Sequence, residues 1–326
     1  MLCISSPSID PYFNLASEEY LLKCFQEDVF LLYRNSPSIV VGKHQNTLAE
    51  INYPFVLEKG ITVARRISGG GTVFHDLGNL NFAFMSCGKE GELVDYGKFT
   101  KPVIDAMGTM GLKIRMGKRH ELLLGKKKIS GTASHVFKRR VLHHGTLLFS
   151  SKMGDLSKAL KVQPNRFSDR AVKSIPSQVT NIRDHLVEKM EPADFQNRIL
   201  AYIFKSTENA KEYHFNDQDL KEIQQLRDSK FSTWEWNFGY SPKYQFSKSL
   251  VFQSGTLALQ MNVEKGIIKE VNFEGEFMTA KDIHKLEDVL IGTIHDPETL
   301  RIRLSGINVA DYITGLENEV LLSGMF

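Results

Sequence analysis

The stretch RRISGGGTVFHDLGN, Arg65 to Asn79, sets two arginines, three consecutive glycines and a His-Asp pair side by side. A tight turn needs one or two residues able to take positive φ, and a third glycine costs backbone entropy without adding curvature. Consecutive glycines let backbone N–H groups converge on one concavity, a nest for phosphate or carboxylate oxygens. Arg65 and Arg66 offer planar forks to the same anions. A mobile connection is the competing reading of the glycines; the adjoining arginines favour anion binding. Neither G-x-x-x-x-G-K-[ST] nor a G-x-G-x-x-G after a strand occurs, so a bound nucleotide would be held by another scheme.

A second candidate is GKKKISGTAS, Gly125 to Ser134. Lys126, Lys127 and Lys128 in a row are what a solvated hairpin tip carries. In a strand, alternation puts Lys128 and Ser130 on one face and Lys127 and Ile129 on the other. A Lys128 face turned into a cleft would offset charge on a transferring phosphoryl or acyl group. In HHGT, His143 and His144 point opposite ways along a strand and cannot share one metal. His75 and Asp76 have the same limit, and no G-x-S-x-G elbow supplies a hydrolase serine. Cys87 reads as an incidental thiol, because the sequence places no histidine beside it. The basic clusters Lys118-Arg119, Lys126–Lys128 and Lys138–Arg140 lack interleaved aromatics for stacking bases, and a net charge of +3 is small for a nucleic-acid coat.

These residues need elements to position them. Asn14–Lys23 reads as a helix whose acids lie in its first turns. Val29–Arg34 and Ser38–Gly42 read as buried strands. Ile61–Ile67 and Thr72–Asp76 flank the glycines as strand, loop, strand, and Asn79–Phe84 as a half-buried strand. Phe99–Met110 and Asp155–Val162 read as helices. His120–Ser134 reads as two strands about a turn at Gly125-Lys126, Arg140–Ser150 as another strand, and Ser174–Ile182 as a loop. Pro192–Lys205 and Asp217–Arg227 read as further helices. Strands and helices mix without βαβ alternation, which predicts an α+β fold with mixed or antiparallel sheets.

A linker at Trp236–Ser249 precedes three strands turning at Ser254-Gly255 and Lys265-Gly266. Helices at Ala280–Leu290, Pro297–Leu304 and Asn308–Gly315 follow. At 326 residues, two domains are expected, 1–244 and 245–326. Three scattered cysteines, no basic-then-apolar leader and no long apolar run predict a soluble cytoplasmic protein.

Taken together, NLASEEYLL, LYRNSPSIVVGKHQN, RRISGGGTVFHDLGNLNFAF, KKISGTAS, HHGTLLF, SIPSQVTNI and STWEWNFG resemble the lipoate-protein ligases, in order and over nearly the whole chain. The resemblance implies a large catalytic domain of biotin/lipoyl ligase type and a small accessory α+β domain. It implies that lipoate and ATP, with Mg²⁺, form lipoyl-AMP and pyrophosphate. The lipoyl group then passes to one lysine of an apo lipoyl domain, in 2-oxo acid dehydrogenase complexes or the glycine-cleavage H protein.

By the same resemblance Lys128 is the catalytic lysine, touching both carboxyl and phosphate. ATP and the adenylate are held by Arg66, the Gly71, Thr72, Val73 and Phe74 backbone, Lys128, and the loop residues Ser174, Ile175, Ser177 and Val179. Lipoate is held by Arg65, Ser68, Gly69, Gly70, Gly71, His75, Asn79, Lys128, Ser130 and His144. The family usually has Asn-Asp before the first strand of the Lys128 hairpin, where this chain has His120-Glu121. Glu121 keeps a carboxylate there and is the candidate Mg²⁺ contact. No nucleic-acid or membrane partner is expected, and the chain is expected to be a monomer. The alternative is a transferase that moves octanoyl or lipoyl groups between carriers without ATP, through a cysteine or a carrier thioester.

Overall fold

The structure, a computed structural model, describes residues 1–88, 93–160 and 166–326. The chain gathers into two compact units. The first comprises Met1–Lys43, Ile61–Ser157 and Ser174–Thr233; the second comprises His44–Gly60, Lys158–Lys173 and Trp234–Phe326.

In chain order the first eleven strands are β1 (Leu2–Ser5), β2 (Val29–Arg34), β3 (Ser38–Val41), β4 (Thr62–Arg65), β5 (Val73–His75), β6 (Asn79–Cys87), β7 (Ile114–Met116), β8 (Leu122–Leu124), β9 (Lys127–Ser130), β10 (Thr132–Phe137) and β11 (Arg140–Leu148). Five more follow: β12 (Phe167–Asp169), β13 (Lys211–Glu212), β14 (Tyr244–Phe252), β15 (Gly255–Glu264) and β16 (Ile267–Glu276). The first unit holds a six-stranded mixed sheet, β10-β11-β6-β2-β1-β13, and two three-stranded sheets, β4-β3-β5 and β7-β8-β9. The α+β expectation holds.

Strand β6 lies between β11 and β2 and is buried from Asn79 to Ser86. It is therefore not half-buried, as its alternation suggested. Its polar positions are covered as well as its apolar ones. Leu80, Phe82 and Phe84 join Phe30, Phe99, Phe149 and Phe195 in the core of this unit.

The first helix, α1, runs Pro11–Cys24. Asp10 caps it by accepting the Tyr12 N–H at 2.9 Å, and Pro11 supplies a preset φ at the first position. No acid lies in its first turn. Glu18 and Glu19 sit mid-helix and are buried, which corrects the reading of them as a helix start. Each has a specific partner instead: Glu19 pairs with Lys23 at 2.5 Å and Lys230 at 2.6 Å. The helix expected over Asp155–Val162 is found at Met153–Ala159; Val162 lies outside the described residues.

The second unit packs the antiparallel sheet β12-β14-β15-β16 against the helices Ile283–Leu290, Pro297–Leu304 and Asn318–Gly324. The second turn falls at Lys265-Gly266 as expected, and the first at Gln253-Ser254, one residue before the expected Ser254-Gly255. The stretch read as a linker is instead a π-helical turn, Glu235–Gly239, and then strand β14, whose Tyr244 and Phe246 are buried. Only a 3-10 turn, Val309–Asp311, forms where a helix over Asn308–Gly315 was expected. Among the described residues no helix is long and apolar enough to cross a membrane.

Candidate active site

Strand β3 pairs with β4 on one side, in parallel, and with β5 on the other, antiparallel. The chain from Arg66 to Thr72 must therefore cross the end of β3, and it does so tightly. A Cβ on Gly42, just past β3, would stand 2.1 Å from the Gly70 carbonyl oxygen, and the Lys43 N–H donates to the Ser68 carbonyl at 2.8 Å.

The three glycines answer to different constraints. Gly70 takes φ +92°, which disfavours any side chain. A Cβ on Gly71 would press on Ser174 Oγ at 3.1 Å. Gly69 faces open space.

Both arginines are buried. Arg65 donates to the Gly42 and Lys43 carbonyls at 3.0 and 3.1 Å. Arg66 donates through Nε to Ser68 Oγ (3.0 Å), through Nη1 to the Val40 carbonyl (3.0 Å), and through Nη2 to the Gly69 and Gly71 carbonyls (2.7 Å each). These guanidiniums brace the loop. With the Gly69 and Gly71 carbonyls turned to Arg66, no acceptor among the described residues takes the N–H of Gly69, Gly70 or Gly71.

Behind the loop lies a polar chain that sequence reasoning missed. Ser68 Oγ is 2.6 Å from His144 Nε2, and His144 Nδ1 is 2.8 Å from the Glu18 carboxylate. Glu18 also accepts from the Tyr33 hydroxyl at 2.9 Å. The carboxylate can only accept, so His144 Nδ1 donates to Glu18, which leaves Nε2 facing the serine hydroxyl. Burial and Glu18 together raise the Tyr33 phenol well above its ordinary value. The one sequence signal for Glu18 was an acid at an otherwise apolar helix position.

His75 is oriented by a second chain. The Ser6 hydroxyl donates to Asn14 Oδ1 (2.6 Å), Asn14 Nδ2 to Asn35 Oδ1 (2.8 Å), and Asn35 Nδ2 to His75 Nδ1 (2.9 Å). His75 Nε2 then carries the proton, and it is buried without a partner, as is Asn79 Oδ1. Burial, and next the charge of Arg66, push the His75 imidazole down to about 3. It is a neutral donor in a dry place. Asp76, by contrast, is spent on structure, accepting the Gly78 and Lys152 N–H groups at 2.9 and 2.7 Å.

Lys126 and Lys127 are exposed at the hairpin tip, whereas Lys128 is half-buried. The lysine is held on both sides by the 174–180 loop. Its N–H donates to the Gln178 carbonyl (2.8 Å), and the Thr180 N–H donates to its carbonyl (3.1 Å). Its Nζ rests over Gly131, 3.2 Å from where a Cβ would stand. Burial, then the charge of Arg119, lower its pKa; Glu121 works against this. The same loop meets the glycines, where the Thr72 N–H donates to Ser174 Oγ at 2.8 Å. Ile175 is exposed, Val179 bridges to Lys128, and Ser130 is buried beside it.

His143 points away from His144, onto Phe99 and Ser134 Oγ. Cys87 ends β6, about 26 Å along the strand from Asn79. Among the described residues no group of three or more His, Cys, Asp or Glu side chains is placed to hold a metal.

Residues 10–204 match the family model of the lipoyl protein ligase A/B catalytic domain, and residues 241–324 that of the bacterial lipoate protein ligase C-terminus. The chain is 38% identical to lipoate–protein ligase 1 of Staphylococcus aureus over 99% of both chains. Among solved structures, it resembles a T. acidophilum protein with bound lipoic acid at 25% identity. That match has a TM-score of 0.62 and covers 73% of this chain and 98% of that one. It also resembles a lipoate-protein ligase A bound with ATP, at 26% identity and a TM-score of 0.61, over the same shares of each chain.

Proposed function

This chain belongs to the lipoate-protein ligase family, and from that premise we propose that it adenylates lipoate with ATP and passes the lipoyl group to a lysine of apo lipoyl domains. The observation that carries the reading is the half-buried Lys128, tied to the 174–180 loop that also meets a glycine nest with free N–H groups.

Two anions must meet in the first step. The lipoate carboxylate attacks the α-phosphorus, the bond to the β-phosphate oxygen breaks, and pyrophosphate leaves. Fixed donors and a cation at the meeting point offset the repulsion. Lys128 supplies the charge, and the nest with the Gly71–Phe74 backbone supplies the donors. Arg66 acts by bracing that nest. Ser174, Ile175, Ser177 and Val179 cover the adenine. Ser68, His75, Asn79, Ser130 and His144 line the lipoate slot, with Arg65 holding its floor. The neutral His75 Nε2–H and the open Asn79 Oδ1 are the polar groups left for a ligand. In the second step the acceptor lysine attacks the carbonyl and AMP leaves, while Lys128 stabilises the oxyanion.

Mg²⁺ would enter with the ATP phosphates; Glu121, one of whose oxygens already accepts the Arg119 N–H at 2.8 Å, would offer it the other and help offset the phosphate charge. In this reading residues 1–244 are catalytic, 245–326 are accessory, and the protein works as a cytoplasmic monomer. The position of Cys87, a strand's length from Asn79, gives no support to a cysteine-based transferase. Incubating the protein with lipoate, ATP and an apo lipoyl domain tests the reading. AMP should form with each lipoylation, and lipoylation without AMP would refute it.

A further inference from the structure

ATP brings four negative charges to a site whose obvious cations are largely committed. Arg65 is fully buried against backbone carbonyls, and Arg66 makes four hydrogen bonds within the loop it braces. Lys128 is a single point charge at the reacting centre. Mg²⁺ arriving with ATP offsets part of this charge, and a further protein donor is needed for the β- and γ-phosphates as pyrophosphate departs.

Arg119 stands where that group is needed. It lies in the turn between β7 and β8, with Gly117 and Glu121. The turn is tightly shaped: the Gly117 N–H donates to the Glu121 carbonyl at 2.7 Å, and His120 takes φ +60°. A Cβ on Gly117 would strike the Glu121 carboxylate at 2.6 Å, so glycine there lets the carboxylate fold beneath the turn. Arg119 and Lys128 meet the same loop: Arg119 Nη2 reaches Ser177 Oγ, and the Lys128 backbone bonds to Gln178 and Thr180.

Its guanidinium is nevertheless held loosely. Nη2 reaches Ser177 Oγ at 3.3 Å, and Nε lies 3.9 Å from Glu121. The side chain is 48% exposed. This differs from Arg66, whose guanidinium is buried and fastened at 2.7–3.0 Å. A planar fork, half in solvent and touching the loop that holds the catalytic lysine and would cover the nucleotide, suits bidentate capture of a phosphate.

Resting on the activity proposed above, we infer that Arg119 is a catalytic residue of the adenylation step alone. It binds the β,γ-diphosphate of ATP and stabilises pyrophosphate as it leaves. When lipoyl-AMP reacts with the acceptor lysine the leaving group is AMP, no diphosphate is present, and Arg119 has nothing to hold.

The test uses the full chain with Arg119→Ala and Arg119→Lys. Three quantities are measured: AMP formation from lipoate and ATP, transfer from supplied lipoyl-AMP to an apo lipoyl domain, and calorimetric binding of inorganic pyrophosphate. Arg119→Ala should slow adenylation about a hundredfold and weaken pyrophosphate binding on the order of tenfold, with transfer within about twofold. Arg119→Lys should fall between, keeping the charge but losing the fork. Unchanged pyrophosphate binding, or equal loss of both half-reactions, would overturn the inference. Wild-type protein that forms no AMP would refute the proposed activity instead, and the pyrophosphate comparison would still decide the role of Arg119.

Discussion

Gly42 and Gly70 meet backbone against backbone: a Cβ on the first would stand 2.1 Å from the carbonyl oxygen of the second. Two motifs well apart in sequence, SIVVGK and RRISGGG, thus form one structure. The glycine loop keeps this position only while residue 42 has no side chain.

Gly42→Ala should push the glycine loop off the end of β3. Overpacking of this kind costs about 1–3 kcal/mol. We expect a lower melting temperature together with a raised lipoate KM. An unchanged KM in a folded variant would separate the loop from lipoate binding.

Glu18→Ala removes the shared acceptor of Tyr33 and His144 and leaves two buried donors unpaired. Each orphan costs about 1–3 kcal/mol. Urea denaturation should show a loss of that order, and Glu18→Gln a smaller one, because an amide oxygen can still accept.

Lys128 gives a pH signature. Burial and Arg119 hold its pKa below the usual lysine value, so its ammonium is lost at lower pH than a free lysine's. The alkaline limb of kcat/KM for adenylation should therefore lie below 10.5 and move upward in Lys128→Arg. A limb that stays in place in that variant would assign the titration to another group.

Stability should fall in acid. His75 and His143 are pushed down to about 3, and His295 to about 4, chiefly by burial. Unfolded histidine binds its proton near 6.5, so between that pH and the folded values the unfolded state holds more protons. Stability is full above about pH 6.5 and declines as pH falls toward 4, each histidine adding at most about 1.4 kcal/mol per pH unit. Denaturation series at stepped pH check the slope, and His143→Asn should reduce it.

Local pattern carried most of the strands and the helices of the first unit, because apolar runs and turn residues mark them directly. Alternation set Lys128 and Ser130 apart from Lys127 and Ile129, but only the family resemblance singled out Lys128. The arginines were less legible: a guanidinium that binds carbonyls has the same sequence as one that binds phosphate, and only contacts tell them apart. Glu18 was hidden because its partners come from β2 and β11, far along the chain. The grouping of His44–Gly60 and Lys158–Lys173 with the C-terminal residues is likewise a long-range property. The first part of β14, Tyr244–Ser249, was missed because its Ser, Pro and Gly neighbours read as a linker, while burial of Tyr244 and Phe246 decides the conformation.

The most direct test of the central claim is AMP production from lipoate and ATP by the intact protein, compared with Lys128→Ala. Lipoate-dependent AMP that falls about 10²–10³-fold in the variant, while the fold survives, is the predicted result. No lipoate-dependent AMP from the wild type, or an undiminished rate in Lys128→Ala, would contradict it.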